Sequence, residues 1–231
     1  MPSPLHLYPM VFACFLGGHL LILGAVTVLH RAFTGAAPRL RADARGLRYL
    51  LEFVGAEALM LTAALQLGVV RLAPFSAPRT LATLALGFVW WEFWFYFGHR
   101  LLHTRWLYPL HRPHHATPGV HPSLAFGALE TVALSSGFYL PLALASHRFH
   151  AVSVETLALV FSLAYALNVV SHLDAARLAP RLAATPWRHL LGSPRRHAQH
   201  HAGRRGNYGL NSPWPDRLFG TALDAPGSVP R

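Results

Sequence analysis

The sequence predicts an all-α fold, an integral membrane helical bundle of about four to five membrane helices with a cytosolic histidine-rich cap. Three observations predict it. The 231 residues are 53% hydrophobic and 13% charged, too few charges for an ordinary soluble surface. Apolar segments long enough to span a bilayer recur along the chain. Histidines gather at the ends of those segments: His99, His103, His111, His114 and His115 close one, and His197, His200 and His201 follow the last.

The chain divides into N-terminal transmembrane helices with a basic cytosolic loop (residues 1–80), a histidine-bearing domain (81–221) and a short tail (222–231). Residues 1–9 are Pro-rich and free of arginine, unlike the basic start of a signal peptide. The first span runs from about Tyr8 to Leu29, interrupted by His19, which suits packing against a neighbouring helix. Arg31 to Arg48 carries five arginines and one aspartate, so the positive-inside rule places it in the cytoplasm. The second span, about Tyr49 to Leu72, carries Glu52 and Glu57; pairing of these with Arg48 or a neighbouring helix competes with a functional role. A third span, about Thr80 to Phe97, is rich in Trp, Phe and Tyr, fitting an interfacial belt or the lining of an apolar tunnel. Leu124–Ala145 and Val152–Val170 are two shorter apolar segments that cross as a hairpin or dip in, with Pro141 kinking or ending the first. His147 and His150 lie in their connecting turn, away from the clusters if the hairpin crosses.

The twenty basic residues are all arginine and the formal net charge is +11. They are scattered between apolar segments and form no basic helix or stacking platform, which excludes nucleic acid as a partner. With no lysine and much Ala, Gly, Pro and Leu, the composition suggests a bacterial source. The expected location is the bacterial cytoplasmic membrane, with the histidines on the cytoplasmic side. The single Cys14 excludes an intrachain disulfide and a cysteine metal site.

Spacing makes the histidines candidate metal ligands. Residues three or four apart share a helical face, and His99/His103, His111/His114/His115 and His197/His200/His201 are so spaced. Each cluster can aim its imidazoles at one point. Pro113 is harmless in the first turn of a helix. One ion takes three or four such ligands, so two ions would use all eight. Asn168 and His172 form another polar pair four apart, which makes His172 a ninth candidate, able to make one ion five-coordinate. Glu92, Asn168, Asn207 and Asp216 are candidates to orient ligand imidazoles. Imidazole suits iron, zinc or copper, so the donors do not choose the metal.

HRLLH at 99–103, HRPHH at 111–115, HAQHH at 197–201 and the closing NYG…WPDRLFGT together resemble the fatty acid hydroxylase superfamily, its sterol desaturase branch. NVVSH at 168–172 is similar to an extra histidine motif of that family. Two features depart from it. Arg196 stands where some members have a further histidine, and Gly127-Ala128-Leu129 precedes Glu130 where many have a His-Pro pair. The resemblance implies a membrane di-iron oxygenase for hydroxylation or desaturation of a lipid: sterol, fatty acyl chain, carotenoid or other isoprenoid. It implies two iron ions, with zinc able to substitute, and O2 as co-substrate. It also implies a separate electron donor of ferredoxin, cytochrome or reductase type, since no haem or flavin domain is visible. Two other readings keep the ligands: a metal transport or storage protein, disfavoured because the clusters sit at span ends, and a zinc-dependent lipid hydrolase, disfavoured by the lack of an HExxH motif.

Overall fold

A computed structural model describes residues 4–35, 44–116, 125–173, 194–203 and 205–223. Residues 36–43, 117–124 and 174–193, with Leu124, Asp174 and His189 among them, lie outside the described residues. Among the described residues every element is helical: α1 (Pro4–Thr34), α2 (Ala44–Gln66), α3 (Ala77–Leu102), α4 (Tyr108–Ala116), α5 (Ala128–Ser135), a 3₁₀ turn (Ser136–Phe138), α6 (Tyr139–Phe149), α7 (Val154–Ser171), α8 (Pro194–His201) and α9 (Trp214–Leu218).

Four stretches are long and apolar enough to cross a membrane: His6–Ala32, Ala44–Gln66, Ala128–Phe149 and Val154–Ser171. Leu21, Leu59, Leu81, Leu86, Val89 and Leu144 are exposed on the bundle's outside. A soluble protein does not carry so much bare aliphatic surface, but hydrocarbon leaves it no penalty. This is a membrane helical bundle. α3 is the longest helix after α1 and carries Glu92 and three tryptophans; it is not among those four stretches. It runs through the middle of the packing, against α5, α6 and α7, while α1 packs on α2 and α7, and α2 on α5. Trp91, Phe95, Phe138, Phe161 and Tyr165 form the aromatic heart of the core.

Local chemistry sets the helix ends. Ser153 caps α7, its side chain accepting from the Thr156 N–H. α2 stops at Gln66, short of the apolar stretch to Leu72, because Gly68 takes φ 69° and turns the chain. Val70 N–H reaches back to Ala64 O at 3.1 Å. The Leu124–Ala145 segment is broken by the 3₁₀ turn into α5 and α6. Pro141 has no N–H for the carbonyl of Gly137, and the Trp90 indole N–H supplies the missing donor at 2.8 Å. Trp94 donates likewise to Leu134 O at 2.8 Å. Two members of the aromatic run of α3 therefore hold a kink. Gly137 is required there, since a Cβ would stand 2.1 Å from the Trp94 ring.

The two ends of the bundle differ. At one, Ala73 N–H bonds Val152 O (2.8 Å) and His147 Nε2 bonds Gly68 O (2.9 Å), locking the α2–α3 and α6–α7 connections together. Thr80 and Thr156 share a hydroxyl hydrogen bond there (2.8 Å). The C-terminal ends of α3 and α7 meet at the other, with the start of α5, the short α4 and α8, and the final loop.

Candidate metal centre

That second end holds all nine candidate ligands. They form two groups able to hold a metal ion: His99, His103, His111, His115 and His200 in one, His114, His172, His197 and His201 in the other. Within each group the donor atoms lie within 4.8 Å of one another.

The helical boxes do not each aim at one point. They are shared between the groups by azimuth. Partners four apart stay together: His99 with His103, His111 with His115, His197 with His201. Adjacent residues on a helix diverge by about 100°, so His114 and His200 turn to the group opposite their neighbours. His172, at the C-terminal end of α7, completes a group of four, while five box histidines form the other. Pro113 also sits deeper than the first turn, as the sixth residue of the nine-residue α4, where it costs one bond to the Pro109 carbonyl in an already short helix.

The surrounding chain fixes the tautomers. His99 Nδ1 lies 2.7 Å from Tyr208 O, His200 Nδ1 2.9 Å from Gly206 O, and His172 Nδ1 2.7 Å from Asn168 O. A carbonyl only accepts, so each of these Nδ1 atoms carries the hydrogen and each Nε2 is left as a lone pair. His111 Nδ1 lies 2.5 Å from Glu130 Oε1, both side chains being buried, and donates to it when the carboxyl is ionised. His99 Nε2 and His111 Nε2 then face each other at 3.0 Å with no proton between them. His200 Nε2 and His103 Nε2 are buried with no hydrogen-bond partner. In the second group the Nε2 atoms of His172 and His197 approach to 2.7 Å, and those of His201 and His197 to 2.9 Å.

Burial pushes the histidines down from their ordinary pKa, and neighbouring imidazoles push several further. His103 and His115 fall to about 4, and His200 and His201 to about 2. His99, His114 and His197 are held well below the usual range by the same causes. The site is a cage of neutral imidazoles whose lone pairs converge, which is the donor set a transition-metal ion requires.

The four candidate orienting residues act less directly than their positions suggested. Asn168 serves through its main-chain carbonyl. Glu92 accepts from the Ser212 hydroxyl and so ties the final loop to α3. Asn207, at φ 53°, bonds the Leu223 N–H, the Arg196 carbonyl and Gln199, which pins that loop to α8. Asp216 accepts from the Tyr208 and Gly209 N–H groups and the Thr221 hydroxyl, each at 2.8 Å. Arg196 lies 3.3 Å away. The closing NYG and WPDRLFGT pieces thus build one tight loop whose carbonyls, Gly206 O and Tyr208 O, orient His200 and His99. Gly209 packs on Asp216 where a Cβ would stand 2.9 Å from Oδ2.

Sequence reasoning missed Glu130 as the partner of His111. Its signal was a carboxylate in an apolar segment, a costly placement without a role. The carbonyls of Gly206 and Tyr208 have no sequence signal of their own. The histidines set aside by position are indeed elsewhere. His147 is at the far end, and His19 is buried between helices, 3.5 Å from Glu57 and stacked on Tyr165. Glu52 pairs with Arg48 at 3.4 Å.

Fold and site together define a class: an integral membrane helical protein with two groups of buried histidines, each able to hold a metal ion, at one end of the bundle. The fatty acid hydroxylase family model matches residues 84–221, from α3 through all three histidine boxes to Thr221. The chain belongs to the fatty acid hydroxylase family. No solved structure matches it.

Proposed function

We propose that the protein is a membrane di-iron oxygenase that hydroxylates or desaturates a lipid using O2, within the sterol desaturase branch of its family. The observation that carries this is the convergence of unprotonated Nε2 atoms from His99, His111 and His200 in a buried space. Lone pairs at such distances repel unless a cation lies among them. His99, His103, His111, His115 and His200 would hold one ion, and His114, His172, His197 and His201 the other. An unactivated C–H bond gives a general base or nucleophile nothing to act on, and a pair of redox metals with O2 supplies the oxidising power. The four-donor group has fewer protein ligands and is the natural side for an exchangeable position.

The chain's own residues bind, orient and exclude water. Tyr208 O, Gly206 O, Asn168 O and Glu130 hold ring orientation and proton position. Phe95 packs 5.1 Å from His99 and Phe126 4.4 Å from His114, ring centre to ring centre, closing the bilayer side of the site with apolar surface. The arginines from Arg31 to Arg48 support a cytoplasmic position for the histidines by the positive-inside rule, where a separate electron donor of ferredoxin, cytochrome or reductase type can reach them.

Purified protein is expected to carry about two metal ions per chain and to consume O2 only with both a lipid and a reductant. Metal-free protein that stayed active would sink the proposal.

A further inference from the structure

Two small cavities lie in line between the outside of the bundle and the histidine groups. The outer one is a groove between α3, α6 and α7, with Gly87, Phe88, Leu142, Val160 and Leu163 on its wall. Leu163 is exposed, so the groove opens on a face that hydrocarbon covers. The inner cavity lies behind Phe95 and Phe126, whose rings stand 5.1 Å from His99 and 4.4 Å from His114. Each offers about 40 Å³ to the centres of water-sized molecules. That is enough for a few small molecules and too little for a lipid chain.

Trp91, Phe138 and Ala164 line both cavities and form the wall between them. The Trp91 and Phe138 rings stack, with centroids 3.9 Å apart and planes at 11°. Trp91 differs from the two other tryptophans of α3. Trp90 and Trp94 are tethered through their indole N–H groups to Gly137 O and Leu134 O. The Trp91 indole N–H is buried and makes no hydrogen bond among the described residues. Packing alone holds that ring, so it can tilt without breaking a hydrogen bond.

Size and lining decide what such a passage admits. Among the described residues, Thr83 and Trp91 are the only ones on the outer wall with a polar side-chain atom. In the inner cavity, Glu57 is engaged with His19 at 3.5 Å and Ser135 at 3.3 Å, and Thr131 donates to Gly127 O at 3.0 Å. Ions and polar solutes are excluded, because nothing in the groove replaces their hydration. A small apolar molecule fits, and O2 is one, more soluble in hydrocarbon than in water. We propose that the two cavities form an entry path for O2 from the bilayer to the histidine groups, with Trp91 and Phe138 as its inner gate. This rests on the reading of those groups as an oxygen-using centre and adds the route by which the co-substrate arrives. The competing route is an open polar bowl against the five-histidine group, lined by Arg100, His103, Tyr108, His115, His200 and Arg205.

Xenon reports on the path without turnover, since it is apolar, close to O2 in size, and enters dry cavities. Crystals of the wild-type protein held under xenon are expected to show it in both cavities. A Cβ added at Gly87 would meet nothing within 4 Å. Gly87→Leu should therefore fill the groove with the fold intact, checked by circular dichroism melts, and remove xenon from it. In this variant kcat/KM for O2 should fall at least about threefold, with kcat at saturating O2 and KM for the lipid unchanged, as expected when entry alone is hindered. Gly24→Leu on α1, where a Cβ also meets nothing within 4 Å, should change none of these. Absence of xenon from the wild-type cavities would overturn the path, and that map decides alone if Gly87→Leu does not fold. So would an unchanged kcat/KM for O2 in a variant whose groove is filled, which would give entry to the bowl. Xenon in both cavities of a protein that consumes no O2 with any lipid and reductant would support the apolar gas path while counting against the oxygenase reading.

Discussion

At the scale of single residues, the site depends on which ring nitrogen carries the hydrogen. His111 owes its free Nε2 to Glu130, buried beside it. Glu130→Ala leaves that Nδ1–H unpaired and the ring free to turn. It should weaken metal binding or turnover by about 10–100-fold, the usual effect of removing a ligand's hydrogen-bond partner. Glu130→Gln keeps an acceptor and should lose less, which metal titration of the two variants would show. His172 belongs to the group of four, so His172→Ala leaves three donors there and five in the other group untouched. We expect the metal content to fall from two ions towards one, with O2-dependent turnover largely lost and the fold kept. Two ions and full activity after that change would place His172 outside the ligand set. His147→Ala, at the opposite end, should alter neither quantity.

The element scale shows how short pieces of backbone aim those residues. The loop from Gly206 to Leu223 is tied by Asp216 through three hydrogen bonds of 2.8 Å, and its carbonyls in turn orient His99 and His200. Burial raises the Asp216 carboxyl above its usual range, opposed by those donors and by Arg196. Asp216→Ala should therefore lower metal content even though the residue touches no histidine. Elemental analysis of the purified variant, with helicity unchanged by circular dichroism, would confirm it; full metal content would refute it. The kink between α5 and α6 is a second such device. Gly137→Ala pushes a methyl into the Trp94 ring and should cost about 1–3 kcal/mol, seen as a lower melting temperature. Trp90→Phe removes the indole donor to Gly137 O together with part of the ring stacked on Trp94, and should cost at least about 1 kcal/mol.

For the whole molecule, the relevant fact is polarity from end to end. The histidine groups and the loop that holds them occupy one end, and the joined α2–α3 and α6–α7 connections the other. Trp106 and Arg148 are exposed at these opposite ends. With Cys14 replaced by Ser, single cysteines at these two positions should react oppositely to a membrane-impermeant thiol reagent in intact cells. The Arg148→Cys protein should label from outside and the Trp106→Cys protein only after lysis. Labelling of both from the same side would mean that the bundle does not cross as the basic loop predicts.

Much of this was legible in the sequence because it depends on local spacing and composition. Apolar length predicted the membrane bundle, and helical spacing singled out nine histidines, His172 included, that the packed helices bring into two groups. What the chain's linear order does not carry is how separate helix ends meet. The sharing of each box between two groups follows from azimuth once α3, α4, α7 and α8 are placed side by side. The apolar run to Leu72 reads as helix, yet Gly68 ends it at Gln66 because a glycine turn costs less than carrying the helix on. Glu92 and Glu130 look alike in sequence, each a carboxylate in an apolar segment, but packing sends one to Ser212 and the other to His111. Local patterns are set by the short-range geometry of the backbone. Partners 19 to 125 residues apart, such as His111 with Glu130 or Tyr96 with Thr221, are chosen only when the packed helices bring them within hydrogen-bond reach.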